Sequence, residues 1–198
     1  MNQLIGPMAR CKEPWNSRIR LVHAPTRVEV GSGCATRRLT GKIWKPELDM
    51  RLKIVQFLAV VLTALALVPG GAHVFALPNK VGLAADQYFI VQNIYRGWSL
   101  LGIVLVGALI VDLMLTLMLR RQGGAFALAL LGCLCMAITL VVFFAWTYPA
   151  NQATDNWTTI PDNWEQLRRH WEYSHAANAV VTFAALCSVT LSVLMTRK

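Results

Sequence analysis

The sequence predicts an all-α fold: a four-helix transmembrane bundle, with a short interfacial helix between its first two helices and a long fourth helix projecting to the non-cytoplasmic side. Three observations carry this prediction. Hydrophobic residues make up 56% of the 198 residues and charged residues only 15%, against about 45–50% and about 25% in soluble domains. Mean hydropathy is +0.47. The apolar residues are also gathered into four long runs nearly free of charge, each close to the ~20 residues that a helix needs to cross ~30 Å of hydrocarbon. In lipid the backbone must satisfy its own hydrogen bonds, so such runs are helices.

The net charge of +9 invites a nucleic-acid reading, but its distribution argues against one. Eleven of the 19 Lys/Arg and four of the 10 Asp/Glu lie in residues 1–53, which leaves a net of +2 for the rest of the chain. Residues 1–49 hold Pro, Gly, Arg and Thr without helical or strand period, and no apolar run long enough for a signal. They read either as a basic, disordered tail or as sequence upstream of a true start at Met50. In the second reading Met50-Arg51-Leu52-Lys53 leads straight into the first span, as at the start of an inner-membrane protein. Residues 50–198 are the membrane domain.

After Lys53 no charge occurs for 26 residues, until Lys80, which places the first span near 54–77. Within it Pro69 lacks a backbone donor and crowds the carbonyl of Leu65, which predicts a kink. Gly70 and Gly71 allow close approach of another helix or a ligand. In the connection 78–97, residues 84–98 carry Tyr88, Gln92, Tyr95 and Ser99 on one stripe at ~100° per residue. This predicts an interfacial helix running into the second span, near 98–119, whose one charge is Asp112. A tight Gln122-Gly123-Gly124 turn makes the second and third spans an antiparallel hairpin, the third lying near 125–148. The connection 149–173 carries turn formers and then Asp162-x-x-Glu165, a capping-box pattern. From Asn163 to Thr196 nothing breaks the helix, and these 34 residues extend roughly 50 Å. The fourth span, near 174–195, therefore continues two to three turns beyond the membrane.

Basic residues orient the bundle. Arg51 and Lys53, Arg120 and Arg121, and Arg197 and Lys198 flank three span ends, which places both termini in the cytoplasm. The expected location is a cell membrane, such as a bacterial inner membrane, with the lipid bilayer as the first partner. Homo-oligomerisation is compatible with this layout.

The fourth span carries the clearest constellation. Trp164, Arg168, Trp171, His175, Asn178 and Thr182 fall within an arc about 80° wide, while Leu, Val and Ala fill much of the rest. Polar groups at membrane depth usually face the bundle interior or a wet cavity. Arg168 and Trp171 have an alternative as interface anchors, and His175 and Asn178 as an interhelical hydrogen bond. His73, just past the Pro-Gly-Gly segment, lies at a similar depth to His175. The two histidines suggest a haem pair, part of a metal site, or acid–base and hydrogen-bond partners. No additional His or carboxylate cluster completes a metal ligand set, so metal and cofactor are both read as none. Arg96, with Gln92 and Tyr88, adds polar groups at the mouth, unless Arg96 is a snorkelling anchor. Asp112 is expected to pair with a neighbouring basic group, with proton movement as its alternative. Cys133-Leu134-Cys135 is not a redox CxxC, and no disulfide framework is implied. Phosphate-binding, dinucleotide, HExxH and nucleophile-elbow motifs are missing from the sequence.

Asn163-Trp164-x-x-Leu167-Arg168-x-x-Trp171-Glu172-x-x-His175-Ala176, preceded by Asn156-Trp157-Thr158 and Pro161-Asp162, resembles the signature of the anthrone-oxygenase-like integral membrane family. The resemblance covers residues 52–196 as a whole four-helix domain. It implies an oxygenase-like enzyme that oxidises an apolar, anthrone-like aromatic with molecular oxygen and no evident cofactor. It further implies that His175 acts as base, Arg168 and Asn178 stabilise an enolate, and Trp164 or Trp171 stacks on the rings. His73, Gln92 and Arg96 complete the candidate substrate contacts. The residues alone leave open a non-enzymatic scaffold, a small-molecule binder or a subunit of an oligomeric transporter. An enzyme needs the polar stripe to face a ligand-sized pocket, a scaffold buries it against the first span, and a transporter brings Asp112 onto the route.

Overall fold

The computed structural model describes residues 46–197, so the reading of the basic N-terminal segment as a tail falls almost wholly outside the described residues. Its last positions form the first turn of helix α1, Pro46–Lys80, with Pro46 at the first helical position, where a missing N–H is harmless. The helix passes through Pro69 and Pro78 without ending. There follow α2, Ala85–Gln92, and α3, Leu101–Leu119. The third rod consists of α4, Gly123–Val142, a π-turn at Phe143–Thr147, and α5, Tyr148–Ala153. Helix α6 spans Trp164–Met195. Among the described residues there is no strand.

Four stretches are long and apolar enough to cross a membrane: Asp49–Lys80, Trp98–Leu119, Gly123–Ala153 and Trp164–Met195. Polarity is arranged opposite to that of a soluble bundle. Phe75, Ile103, Val180 and Leu194 leave more than two thirds of their surface exposed, while Thr63, Asp112, Thr139 and Ser192 are buried. Such an exterior is stable against acyl chains, and inside, Thr63 donates to Asp112 while Thr139 and Ser192 donate to the carbonyls of Met136 and Ala125. The protein is a multi-pass integral membrane protein.

Helix α6 packs on α1 and α4, and α3 packs on the same two, which closes a four-membered ring. Small residues set the α4–α6 contact: Ala125, Ala129 and Gly132 on α4 meet Ala185, Val189 and Ser192 on α6. A Cβ on Gly132 would lie 2.6 Å from Val189 Cγ2. In lipid, helices associate by such close packing rather than by hydrophobic transfer. At one end Gln56 Nε2 donates to Thr196 Oγ1 at 3.0 Å, and the Arg197 amide donates to Gln122 Oε1 at 3.0 Å. These bonds tie the start of the first span, the α3–α4 turn and the end of α6 together; we call this the hairpin end. The other, cap end carries α2, residues 93–100 and the connection 154–163.

Three expectations change in detail. The interfacial helix does not run into the second span: it stops at Gln92, and after a 3₁₀ turn at Asn93–Tyr95 the chain reverses at Gly97, whose φ is +86°. A left-handed residue ends any helix, and glycine adopts that conformation without Cβ strain. The capping box is also not formed. Asn163, not Asp162, is the N-cap, with φ −94° and ψ 21°, outside the extended conformation that aims a capping oxygen at the first amides. Those amides instead close backbone turns onto the carbonyls of Pro161 and Asn163. Finally, the third rod continues past Tyr148 to Ala153. Pro149 cannot donate to a carbonyl four residues back and its ring crowds that group. A π-turn just before it, with the Tyr148 amide bonded to Phe143 O, widens the helix and lets it continue.

Candidate functional site

The cap half of the bundle holds a cavity of about 580 Å³, within the ~300–1,000 Å³ typical of small-molecule sites. Its walls come from the second half of α1 (Pro69, Gly70, His73), the start of α3, the α4–α5 rod, and α6 (Trp171, His175, Asn178, Thr182). Gly70 sets the approach of α1 to α6: a Cβ there would sit 3.2 Å from Ala179 Cα. This close crossing brings the two histidines together, their ring centroids 4.1 Å apart and tilted by 33°. Trp171 stands edge-on to both, at 4.6 Å from His73 and 4.4 Å from His175, and Tyr95 lies 4.1 Å from His73.

An aromatic lid of Tyr88, Phe89, Trp157 and Trp171 closes the cap. Trp157 reaches it through an unusual turn in which Asp155, Asn156 and Trp157 all have positive φ, at 46°, 52° and 67°. Each such residue costs about 1 kcal/mol. Burial of Trp157 opposes that strain, as do the bonds from the Asn156 amide to Asn151 O at 2.7 Å and from the Thr158 amide to Thr154 O at 3.0 Å. Asn151 Oδ1 accepts from both indoles, Trp157 Nε1 at 3.1 Å and Trp171 Nε1 at 2.8 Å. The sequence predicts Asn151 in the connection 149–173; the π-turn that carries the helix past Pro149 places it here.

Of the residues singled out in the sequence, His73, Gln92, Arg96, Trp171, His175 and Asn178 line the cavity. Asn178 Oδ1 is buried with no hydrogen-bond partner. Arg96 is exposed at the rim, where it donates to Asn93 Oδ1 at 2.9 Å. Arg168 and Trp164 are not among the lining residues. The Arg168 guanidinium donates to Leu83 O at 2.8 Å and lies over the rings of Trp164 and Tyr88, which clamps α6 to the connection before α2. Asp112 does not line the cavity either, and among the described residues it forms no ion pair with the basic partner expected for it. Fully buried, it accepts from Thr63 Oγ1 at 3.2 Å across the α1–α3 contact; the arginines that follow lie two turns away, at the hairpin end.

The 4.1 Å between the histidine rings bears on the haem-pair reading. Imidazoles on opposite faces of one iron, each nitrogen ~2 Å from the metal, keep their centroids about 6 Å apart. Rings with centroids 4.1 Å apart leave no room for a macrocycle between them. Among the described residues, no group of three or more His, Cys, Asp or Glu is placed to hold a metal ion, and Cys133, Cys135 and Cys187 are free thiols.

Lys80 and Glu172 are functional candidates to which the sequence assigned no role, although Glu172 falls within the signature on α6. They form an ion pair of 2.8 Å with side chains 3% and 1% exposed. Tyr88 donates to the same carboxylate oxygen at 2.8 Å. Burial, and then the Glu172 charge, raises the phenols of Tyr88 and Tyr95 above the usual tyrosine range. The available signal was a lone Lys at the end of the first apolar run and a Glu at the start of the last one, both toward the cap. The chain matches no family model, no curated protein and no solved structure.

Proposed function

We propose that the protein is a membrane enzyme that binds a flat, largely apolar aromatic molecule in the cap-end cavity and uses His175 on it as a general base. The observation that carries this reading is that the membrane half of the α6 stripe, Trp171, His175, Asn178 and Thr182, faces an open, ligand-sized space. A scaffold would bury that stripe in helix contacts, and a transporter would bring Asp112 onto the route. Leaving Asn178 Oδ1 without a partner costs about 1–3 kcal/mol, which a donor on a bound molecule would relieve.

The resemblance of residues 163–176 to the anthrone-oxygenase-like family supplies the substrate class, a polycyclic ketone with an acidic methylene between aromatic rings. His175 takes one methylene proton. The electron pair left behind delocalises onto the ketone oxygen, where the Asn178 amide stabilises the enolate. The enolate carbon forms a bond to molecular oxygen, the proton held by His175 returns to the peroxide, and loss of water leaves a second carbonyl. One anthrone and one O₂ give one anthraquinone and one water. Trp171 and the other cavity-lining indoles offer stacking surfaces. Arg168, committed to Leu83 O, takes no part beyond holding the cap.

The test is anthrone oxidation by the purified protein in lipid nanodiscs, followed by anthraquinone absorbance and oxygen uptake. His175→Ala should lower turnover at least ~100-fold while the protein still quenches its tryptophan fluorescence on anthrone binding. Wild-type turnover in His175→Ala removes it as base; binding without turnover in either protein makes the chain a binder. We also infer that the cavity opens away from the cytoplasm, because Arg51, Lys53, Arg120, Arg121 and Arg197 gather at the hairpin end. A cysteine placed at Thr159 should react with an impermeant maleimide on intact cells, and one at Gln122 should not.

A further inference from the structure

The Lys80–Glu172 pair has no part in the chemistry proposed above, and neither residue lines the cavity. Lys80 Nζ nevertheless lies 3.4 Å from His73 Nδ1, within the same buried cluster in which it meets Glu172 Oε1 at 2.8 Å. That oxygen also receives the Tyr88 hydroxyl at 2.8 Å. An oxygen accepting two such close donors is a carboxylate oxygen, and the nitrogen facing it is an ammonium. An ammonium has three donors and no acceptor. The His73 nitrogen beside it must therefore offer its lone pair, and the one proton of a neutral imidazole then resides on Nε2. Rings packed on His73 hold it in this setting: Tyr95 and His175 at 4.1 Å and Trp171 at 4.6 Å. The His175 ring is tilted by 33° against it and forms no hydrogen bond with Nε2. Among the described residues the Lys80 contact is the one hydrogen bond that His73 makes.

We propose that Lys80, held by Glu172, which Tyr88 holds in turn, is a positioning residue that locks His73 as its Nε2–H tautomer, so that the cavity presents a donor and selects a ligand by an acceptor oxygen, a carbonyl rather than a hydrocarbon edge. The ligand half rests on the reading of the cavity as a small-molecule site; the tautomer half does not.

Two measurements test it. In protein labelled with ¹⁵N-histidine and held in nanodiscs, the His73 signals are identified by their loss in His73→Gln. Nε2 should be protonated and Nδ1 bare in the wild type, and Lys80→Met should give a mixture of tautomers. A wild-type Nδ1–H overturns the proposal, whether or not the variant folds. An unchanged tautomer in folded Lys80→Met overturns the role of Lys80. Separately, tryptophan quenching is titrated with anthraquinone and with anthracene. The ketone should bind about tenfold tighter, and His73→Phe should remove the difference. Equal wild-type affinities overturn the ligand half, and failure of both to bind overturns the cavity reading itself.

Discussion

Replacing Glu172 by Gln preserves side-chain size and an acceptor for the Tyr88 hydroxyl, but removes the negative charge 2.8 Å from Lys80. An exposed pair would lose less than about 1 kcal/mol on such a change. Here the two side chains are 3% and 1% exposed, and breaking a pair that deeply buried costs about 3–5 kcal/mol, because a charge is left without its counterpart. Lys80→Met alone should cost a similar amount, since it strands the carboxylate. In Lys80→Met/Glu172→Gln neither charge of the pair remains. The remaining loss is the bond from Lys80 to His73, about 1 kcal/mol. The double variant should therefore be more stable than either single one, with a coupling of at least about 4 kcal/mol, close to a thousandfold in the folding equilibrium. Reversible unfolding in mixed micelles of rising SDS fraction, followed by tryptophan emission, measures all four proteins. A double variant that loses the sum of the two single losses would refute the ion-pair reasoning.

Three further outcomes follow from the geometry. Gly132→Ala puts a methyl 2.6 Å from Val189 Cγ2 on a rotamer-restricted β-branched side chain; overpacking of about 1–3 kcal/mol should exceed the ~1 kcal/mol helix gain. Gly71→Ala, with nothing within 4 Å, should instead gain stability, and equal shifts in the same unfolding assay would contradict the α4–α6 contact. Asn151→Ala removes the acceptor shared by Trp157 and Trp171 and should lose about 2 kcal/mol with a shift in tryptophan emission, whereas Asn151→Asp keeps both. The raised phenols of Tyr88 and Tyr95 hold protons in the folded state that the unfolded chain releases near pH ~10. The stability they contribute is intact below about pH 10 and is lost as the pH climbs beyond it; phenolate absorbance showing all 4 tyrosines ionised at ~10 in folded protein would refute this.

The sequence by itself determined the architecture. Long charge-free runs admit one solution in lipid, and the span count, the α3–α4 hairpin and the inward stripe of α6 all follow from one-dimensional spacing. His73 and His175 could be placed at one depth because helical rise is constant. Spacing could not tell Arg168 from His175, since both lie on the stripe. Leu83 engages Arg168 through its backbone carbonyl, which no side-chain pattern encodes. Likewise the turn at Gly97 and the opening of α6 at Asn163 rest on backbone angles that residue spacing does not encode. Lys80, Glu172 and Tyr88 come from three separate elements. Only the ring of packed helices, brought close at Gly70, decided that these charges meet under an aromatic lid beside an open cavity. Burial there makes their pairing obligatory.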